Sequence, residues 1–211
     1  RQMCIRDRKE NIHITGWQLT KALESWSWRG CAGMDAKIEV YARAHSVELF
    51  LNGICIGKKK IPKKSCRVIF RTVYGDGKLT AVSYDKAGKE IGRQTLCTAE
   101  KETILKLLPE AETVKPEGLI FLPIRYTDKQ GIWKPMEKHR LTVKVENGSL
   151  EGLGSANAYK EGNYTDPVTD TYYGEAMAIV RAGVRGTVKI TVSDEENTYI
   201  TDIPVEKTIY G

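Results

Sequence analysis

The sequence predicts an all-β chain folded as two tandem immunoglobulin-like antiparallel β-sandwich domains, and three observations carry that prediction. Apolar and polar residues alternate in short runs of strand length. Gly-, Asn- and Asp-rich turns join these runs at near-regular spacing, and no amphipathic helical period of any length interrupts them. At 211 residues the chain is long for one small sandwich and suits two compact domains. Each half would bury only about 60–65% of the surface its unfolded chain exposes, so each core is modest.

The elements follow in order. The first eight residues, RQMCIRDR, match nothing downstream in pattern or composition and are read as a non-native leader, residues 1–8. From Lys37 the strand period takes over, with Ile38, Val40 and Ala42 alternating. In SVELFLNGICIG, Val47, Leu49 and Leu51 share one face, Asn52-Gly53 tolerates positive φ, and Ile54 and Ile56 return. Asn-Gly between apolar alternations is the strongest short-range hairpin signal. Further strands are predicted at RVIFRTV, at LTAVSYD after Gly75-Asp76-Gly77, and at KEIGRQT after Asp85-Lys86-Ala87-Gly88. This first sandwich spans 32–100. The pattern pauses near Thr98–Lys101 and a second sandwich, 101–211, begins with ETILKLLPE and LIFLPIRYTD, which turns at Asp128–Gly131. RLTVKVENGSLEGLG follows, then a long loop from Ser155 to about Asp170, then EAMAIVRAG, TVKITVSD and YITDIPVE. Pro109, Pro123, Pro135 and Pro204 fit strand ends, edges and loops.

Composition excludes several classes. Hydrophobic residues at 41% and charged residues at 28% match an ordinary globular chain. No apolar run approaches the roughly 20 residues that span a bilayer, so no membrane partner is expected. The net charge of +6 is concentrated in Lys58–Lys60, Lys63-Lys64 and Arg67. Without an RNA-binding aromatic motif, zinc finger or recognition helix beside it, the stretch does not predict nucleic acid as a partner. It is read as a solvated loop after the hairpin that keeps an edge strand from pairing with other chains. The five cysteines include no Cys-x-x-Cys, and His13, His45 and His139 are scattered, so neither a metal nor a cofactor is expected. Cys55 and Cys66 fall in apolar strand patterns, where a free thiol acts as a small hydrophobe. That usage favours a reducing, cytoplasmic compartment. A secreted or periplasmic location stays open, because the chain lacks an initiator Met.

Gly16–Lys60, through Trp26-Ser27-Trp28, Gly30, VELFLNG and Gly57-Lys58, resembles the region after the catalytic barrel in bacterial β-galactosidases of glycoside hydrolase family 2. Gly77–Glu100 resembles the end of that same accessory domain, while Gly148–Asp166 and Thr171–Gly183 resemble the family's final immunoglobulin-like domain. The resemblance implies that residues 9–31 are a linker from a catalytic barrel missing upstream. It also implies a parent enzyme that hydrolyses β-galactosides with retention. Its two catalytic glutamates sit on a (β/α)₈ barrel of roughly 250 residues, the acid/base directly after an asparagine. No asparagine here precedes a glutamate, so no catalytic residue is assigned. The expected partners are that barrel, β-galactosides and further copies of the full enzyme.

Three groups of residues stand out. Trp26 and Trp28, at i and i+2, share a face if the stretch is extended; they are read either as a carbohydrate-stacking platform or as docking residues packed at the barrel junction. The loop residues Asn157, Glu161, Asn163, Asp166 and Asp170 offer oxygen ligands without EF-hand spacing, and are read as a polar surface loop with Asx turns. Tyr126, Trp133 and His139 have no catalytic partner nearby in sequence and are read as packing residues. The expectation is therefore a non-catalytic accessory region that buttresses the barrel and shapes its rim. The alternative is a stand-alone carbohydrate-binding or adhesive immunoglobulin-like module.

Overall fold

The computed structural model of the chain describes residues 3–6, 22–157 and 162–207. Most of the 1–8 leader, residues 9–21 of the expected linker and Glu161 lie outside the described residues. The backbone separates into two units, Arg1–Ala99 and Glu100–Gly211. Each is an antiparallel β-sandwich, and no helix occurs among the described residues.

In the first unit β1 (Met3–Arg6), β2 (Asp35–Tyr41) and β5 (Arg67–Val73) form one sheet in the order β1-β2-β5. The other sheet, ordered β4-β3-β6-β7, contains β3 (Ser46–Leu51), β4 (Ile54–Lys60), β6 (Lys78–Tyr84) and β7 (Glu90–Cys97). The alternation read from sequence becomes burial: Ile38, Val40, Val68 and Phe70 from one sheet and Val47, Leu49, Leu79 and Ala81 from the other are all buried. β1 is a strand the alternation does not predict; its backbone runs antiparallel to β2, with Met3 opposite Val40 and Arg6 opposite Lys37.

The β3–β4 hairpin turns as expected, with φ of 50° at Asn52 and 82° at Gly53, the two positive values a type I′ turn requires. Asn52 also has a second role. Its Nδ2 donates to the Asp76 carbonyl at 2.9 Å and its Oδ1 accepts from the Lys78 N–H at 2.8 Å, tying the hairpin tip to the β5–β6 turn. Gly77 makes room for this: its φ is +127°, and a Cβ there would stand 1.9 Å from Asn52 Oδ1. Gly77→Ala is therefore expected to destabilise the first unit by more than about 1 kcal/mol, read as a lowered urea midpoint. A midpoint equal to wild type would show that the Asn52 bridge is not formed in solution.

Two expectations for this unit are corrected. Lys58–Lys60 belong to β4 itself, an edge strand, and not to a loop. Lys58 pairs with Glu48 at 3.0 Å and lies over the Tyr84 ring, while Lys59 Nζ donates to the Ile69 carbonyl at 2.7 Å. Cys55 and Cys66 are exposed, not small core hydrophobes. Only Ile56 and Gly57 of β4 are even half-buried, because an edge strand has a neighbour on one side only.

The second unit pairs a sheet ordered β12-β10-β14-β15 with one ordered β11-β13-β9-β8. The strands are β8 (Ile104–Leu107), β9 (Leu119–Thr127), β10 (Arg140–Glu146), β11 (Gly148–Gly154), β12 (Val168–Asp170), β13 (Glu175–Ala182), β14 (Thr187–Ser193) and β15 (Thr198–Pro204). On one sheet Ile124 and Leu122 of β9 sit opposite the small Ala176 and Ala178 of β13, with Ile120 opposite Val180, and Leu141, Val143, Val188, Ile190 and Val192 come from the other sheet. Such alternation of large and small side chains fills an inter-sheet core.

The run 140–154, which reads as continuous, breaks at Asn147, where φ is 56° and the chain changes sheets from β10 to β11. The stretch read as a loop up to Asp170 contains β12, in which Asp170 pairs opposite Arg140. Pro123 lies inside β9 rather than at its end. It sits beyond the last β8 pair, Leu107 with Ile124, and accepts through its carbonyl from the Leu108 N–H. A proline there needs no donor on that side.

Candidate functional site

Trp26 and Trp28 are fixed inside the first unit. Trp26 is 0% exposed and Trp28 7%, in a segment that is not a strand. Trp26 Nε1 donates to the Gly75 carbonyl at 2.9 Å, and its ring lies 4.8 Å from that of Tyr74. Trp28 Nε1 donates to the Ser25 carbonyl at 3.2 Å, and the Trp28 N–H donates to Tyr74 Oη at 3.1 Å. Thr98 Oγ1 donates to the Trp26 carbonyl at 2.9 Å. Both rings are held by this unit's own residues, and neither presents an open face on which a sugar could stack. Burial of the Tyr74 ring, only partly offset by the Trp28 N–H, pushes its hydroxyl pKa up, so it stays a neutral phenol at physiological pH.

In the second unit the structure gathers residues that sequence separates. Lys134, buried, donates from Nζ to the carbonyls of Lys101 (2.9 Å) and Glu102 (3.1 Å) and to Thr103 Oγ1, and pairs with Glu137 at 3.4 Å. Glu137 also meets His139 Nε2 at 3.2 Å, and the His139 ring lies 4.4 Å from Tyr126, whose hydroxyl donates to Asp194 Oδ2 at 2.8 Å. The expectation that Tyr126 and His139 pack beside turns is met by this stacking. Their polar partners lie up to 68 residues away, and no local pattern signals them.

Burial raises the pKa of Glu137, but the His139 bond, the Lys134 charge and the Thr103 hydroxyl outweigh it and hold the carboxyl below the usual range. Asp194 is likewise raised by burial yet held low by the N–H groups of Glu196 and Asn197 and the Tyr126 hydroxyl. A carboxylate with a depressed folded pKa contributes stability above its unfolded pKa and loses it as pH falls through the folded one. The second unit is therefore expected to lose stability on acidification below the ordinary values of 4.5 and 3.8. Thermal melts followed by Trp133 fluorescence at descending pH read this loss. Tyr126→Phe should flatten the Asp194 part of the dependence, and an unchanged slope would count against the Asp194 assignment.

A groove of about 670 Å³ lies on the outer face of the β11-β13-β9 sheet. Its floor follows the strand register: Gly154, Met177 and Pro123 form one row and Gly152 and Ile179 the next, with Phe121 opposite Ile179 just outside the groove. Gly154 leaves room for the Tyr164 ring, which a Cβ at that position would meet at 2.5 Å. The Leu153 N–H donates to the Tyr164 carbonyl, anchoring the ring's backbone to β11. Tyr164 is 60% exposed. Polar groups stand at either end of β13. Arg125 pairs with Glu175 at 2.5 Å and lies over the Trp133 ring, while Arg181 pairs with Glu151 at 3.2 Å. Of the loop oxygens, Asp166 Oδ2 accepts from the Asn163 N–H at 2.7 Å, a turn-closing bond.

Glu48, Glu90, Glu137, Glu151 and Asp194 all have pKa values shifted downward. A glycosidase general acid needs the opposite shift, so none of these five has the character of one.

Comparison with known proteins agrees with these two units. A family model described as a domain of unknown function (DUF4982) matches residues 33–92. Another, described as glycoside hydrolase family 2 C-terminal domain 5, matches residues 105–199. A β-galactosidase of Bacteroides ovatus is 24% identical over 185 residues, covering 86% of this chain and 22% of the relative. A putative β-glucuronidase of Formosa agariphila is 30% identical over 157 residues, covering 68% of this chain and 14% of the relative. The chain thus spans less than a quarter of the length of these relatives. A solved family 2 glycosyl hydrolase from Bacteroides cellulosilyticus superposes with a TM-score of 0.87 at 23% identity, over 98% of this chain and 28% of that one. That likeness establishes the fold. Residues 105–199 thus match a C-terminal domain of glycoside hydrolase family 2, and the chain is similar to enzymes of that family over less than a quarter of their length.

Proposed function

We propose that the chain is the non-catalytic accessory region of a retaining, β-galactosidase-type glycoside hydrolase, in which it buttresses a catalytic barrel and shapes its rim. The observation that carries this reading is the match of residues 105–199 to a C-terminal domain of family 2, in a chain that corresponds to 22% of a β-galactosidase. The physical character of the units supports it. Sandwiches with filled cores make rigid supports, and variable loops at their ends shape neighbouring surfaces. The galactoside preference rests on the Bacteroides ovatus relative; the Formosa agariphila relative points to glucuronides, and either substrate would be selected by the barrel.

The test is the coding sequence upstream of Lys9. A (β/α)₈ barrel carrying an Asn-Glu pair is expected there, and the isolated chain should not hydrolyse p-nitrophenyl β-galactoside. A chain that turns over this substrate by itself, or an upstream frame without such a barrel, would overturn the reading.

A further inference from the structure

We propose that the outer face of the β11-β13-β9 sheet is a saccharide-binding site, with Tyr164 as its stacking platform and short β-linked oligosaccharides as its ligands. Sheet faces turned to solvent in antiparallel sandwiches ordinarily alternate to polar residues. This one does not: Leu119, Phe121 and Met177 are 44%, 39% and 37% exposed, and Pro123 and Ile179 continue the same surface. β11 contributes glycines at 152 and 154, so the floor stays low where Tyr164 lies across it.

The chemistry matches a pyranoside ribbon. β-Linked sugars with equatorial substituents are flat, with C–H groups on their faces and hydroxyls along their edges. The faces suit an aromatic ring and an apolar floor, because both remove C–H surface from water. The edges suit Arg125–Glu175 and Arg181–Glu151, half-exposed ion pairs whose planar forks hydrogen-bond vicinal hydroxyls. These pairs stand six residues apart on β13, at Glu175 and Arg181, a span of roughly 20 Å. That length fits an oligosaccharide better than a single sugar, and the groove volume lies within the range of small-ligand sites.

Gly154 supplies a way to move the platform without touching its chemistry. Its φ lies outside the left-handed region, so a side chain is allowed by the backbone, but the Cβ would strike the Tyr164 ring. A side chain at 154 would displace the ring, and the platform would be lost.

The proposal stands or falls in the 211-residue chain by itself, independently of the accessory reading, which is tested on the upstream sequence. The chain is titrated by calorimetry with cellotriose, xylotriose and chitotriose. Saturable binding of at least one is expected. Tyr164→Ala and Gly154→Val should each weaken it about tenfold, equivalent to roughly 1.4 kcal/mol, while Tyr164→Phe retains it. Melting temperatures close to wild type would show that these losses are not unfolding; where a variant melts early, Tyr164→Phe against wild type still decides whether the ring rather than its hydroxyl matters. If none of the three sugars binds the wild-type chain, the proposal is overturned and the face is left to a protein partner. Binding that persists unchanged in both Tyr164→Ala and Gly154→Val overturns it equally.

Discussion

Trp26→Ala is expected to cost the first unit about 3–5 kcal/mol, the range for deleting a large aromatic from a core. The ring is fully buried against Tyr74 and its N–H is spent on the Gly75 carbonyl. Truncation empties a cavity the size of an indole and leaves that carbonyl without its donor. The loss also spreads, because the Trp26 carbonyl and Tyr74 Oη organise Thr98, Trp28 and Asp76 around one point. A unit of this size has a total stability of only about 5–15 kcal/mol, so the variant should melt more than ~12 °C below wild type. Trp26→Phe, which keeps most of the packing and forfeits the N–H bond, should lose less. Equal melting temperatures for wild type and Trp26→Ala would mean that the indole is not in the core in solution.

The second large effect is expected at Lys134. Its ammonium is the common partner of two carbonyls, the Thr103 hydroxyl and the Glu137 carboxylate, and it holds residues 101–103 just before β8 begins. Lys134→Met preserves the stem but removes the charge, leaving Glu137 and both carbonyls partly buried and undersatisfied. Removing one partner of a buried pair costs about 3–5 kcal/mol, more than the pair itself contributes. Denaturant unfolding of the second unit reads the cost. The double variant Lys134→Met/Glu137→Gln should recover part of it, since the stranded charge is gone. Recovery is the diagnostic result: a double variant as unstable as Lys134→Met would assign the loss to lysine packing instead.

Much of the fold is legible in the sequence because strand formation leaves a local mark. Val47, Leu49 and Leu51 alternate around an Asn-Gly turn, and that turn has the two positive φ values its residues favour. Ile190 and Val192, or Ile38 and Val40, announce their burial by the period of two. Where reading fails, the cause is a neighbour supplied from far along the chain. Cys55 sits in an apolar pattern, yet β4 is an edge strand and leaves it exposed. The unbroken run through 140–154 hides the change of sheet at Asn147, since nothing in the local pattern says which sheet each half joins.

The sites divide along the same line. By composition and pattern alone, the sequence determined an all-β chain of two sandwiches, and its motifs carried the resemblance to family 2. It also singled out Trp26 and Trp28, either as a sugar-stacking pair or as residues that bury against a barrel, because an indole is both a flat aromatic face and costly in water. Only the tertiary structure decided where that burial is found, inside the first unit against Tyr74 and Gly75. It alone placed Tyr164 over Gly154 and joined Lys134 to residues 101–103 and Tyr126 to Asp194. The reason is physical: periodicity records which face of a strand is apolar, whereas a contact requires two strands to meet. Register and sheet order, which bring residues dozens of positions apart together, depend on the packing of the whole unit.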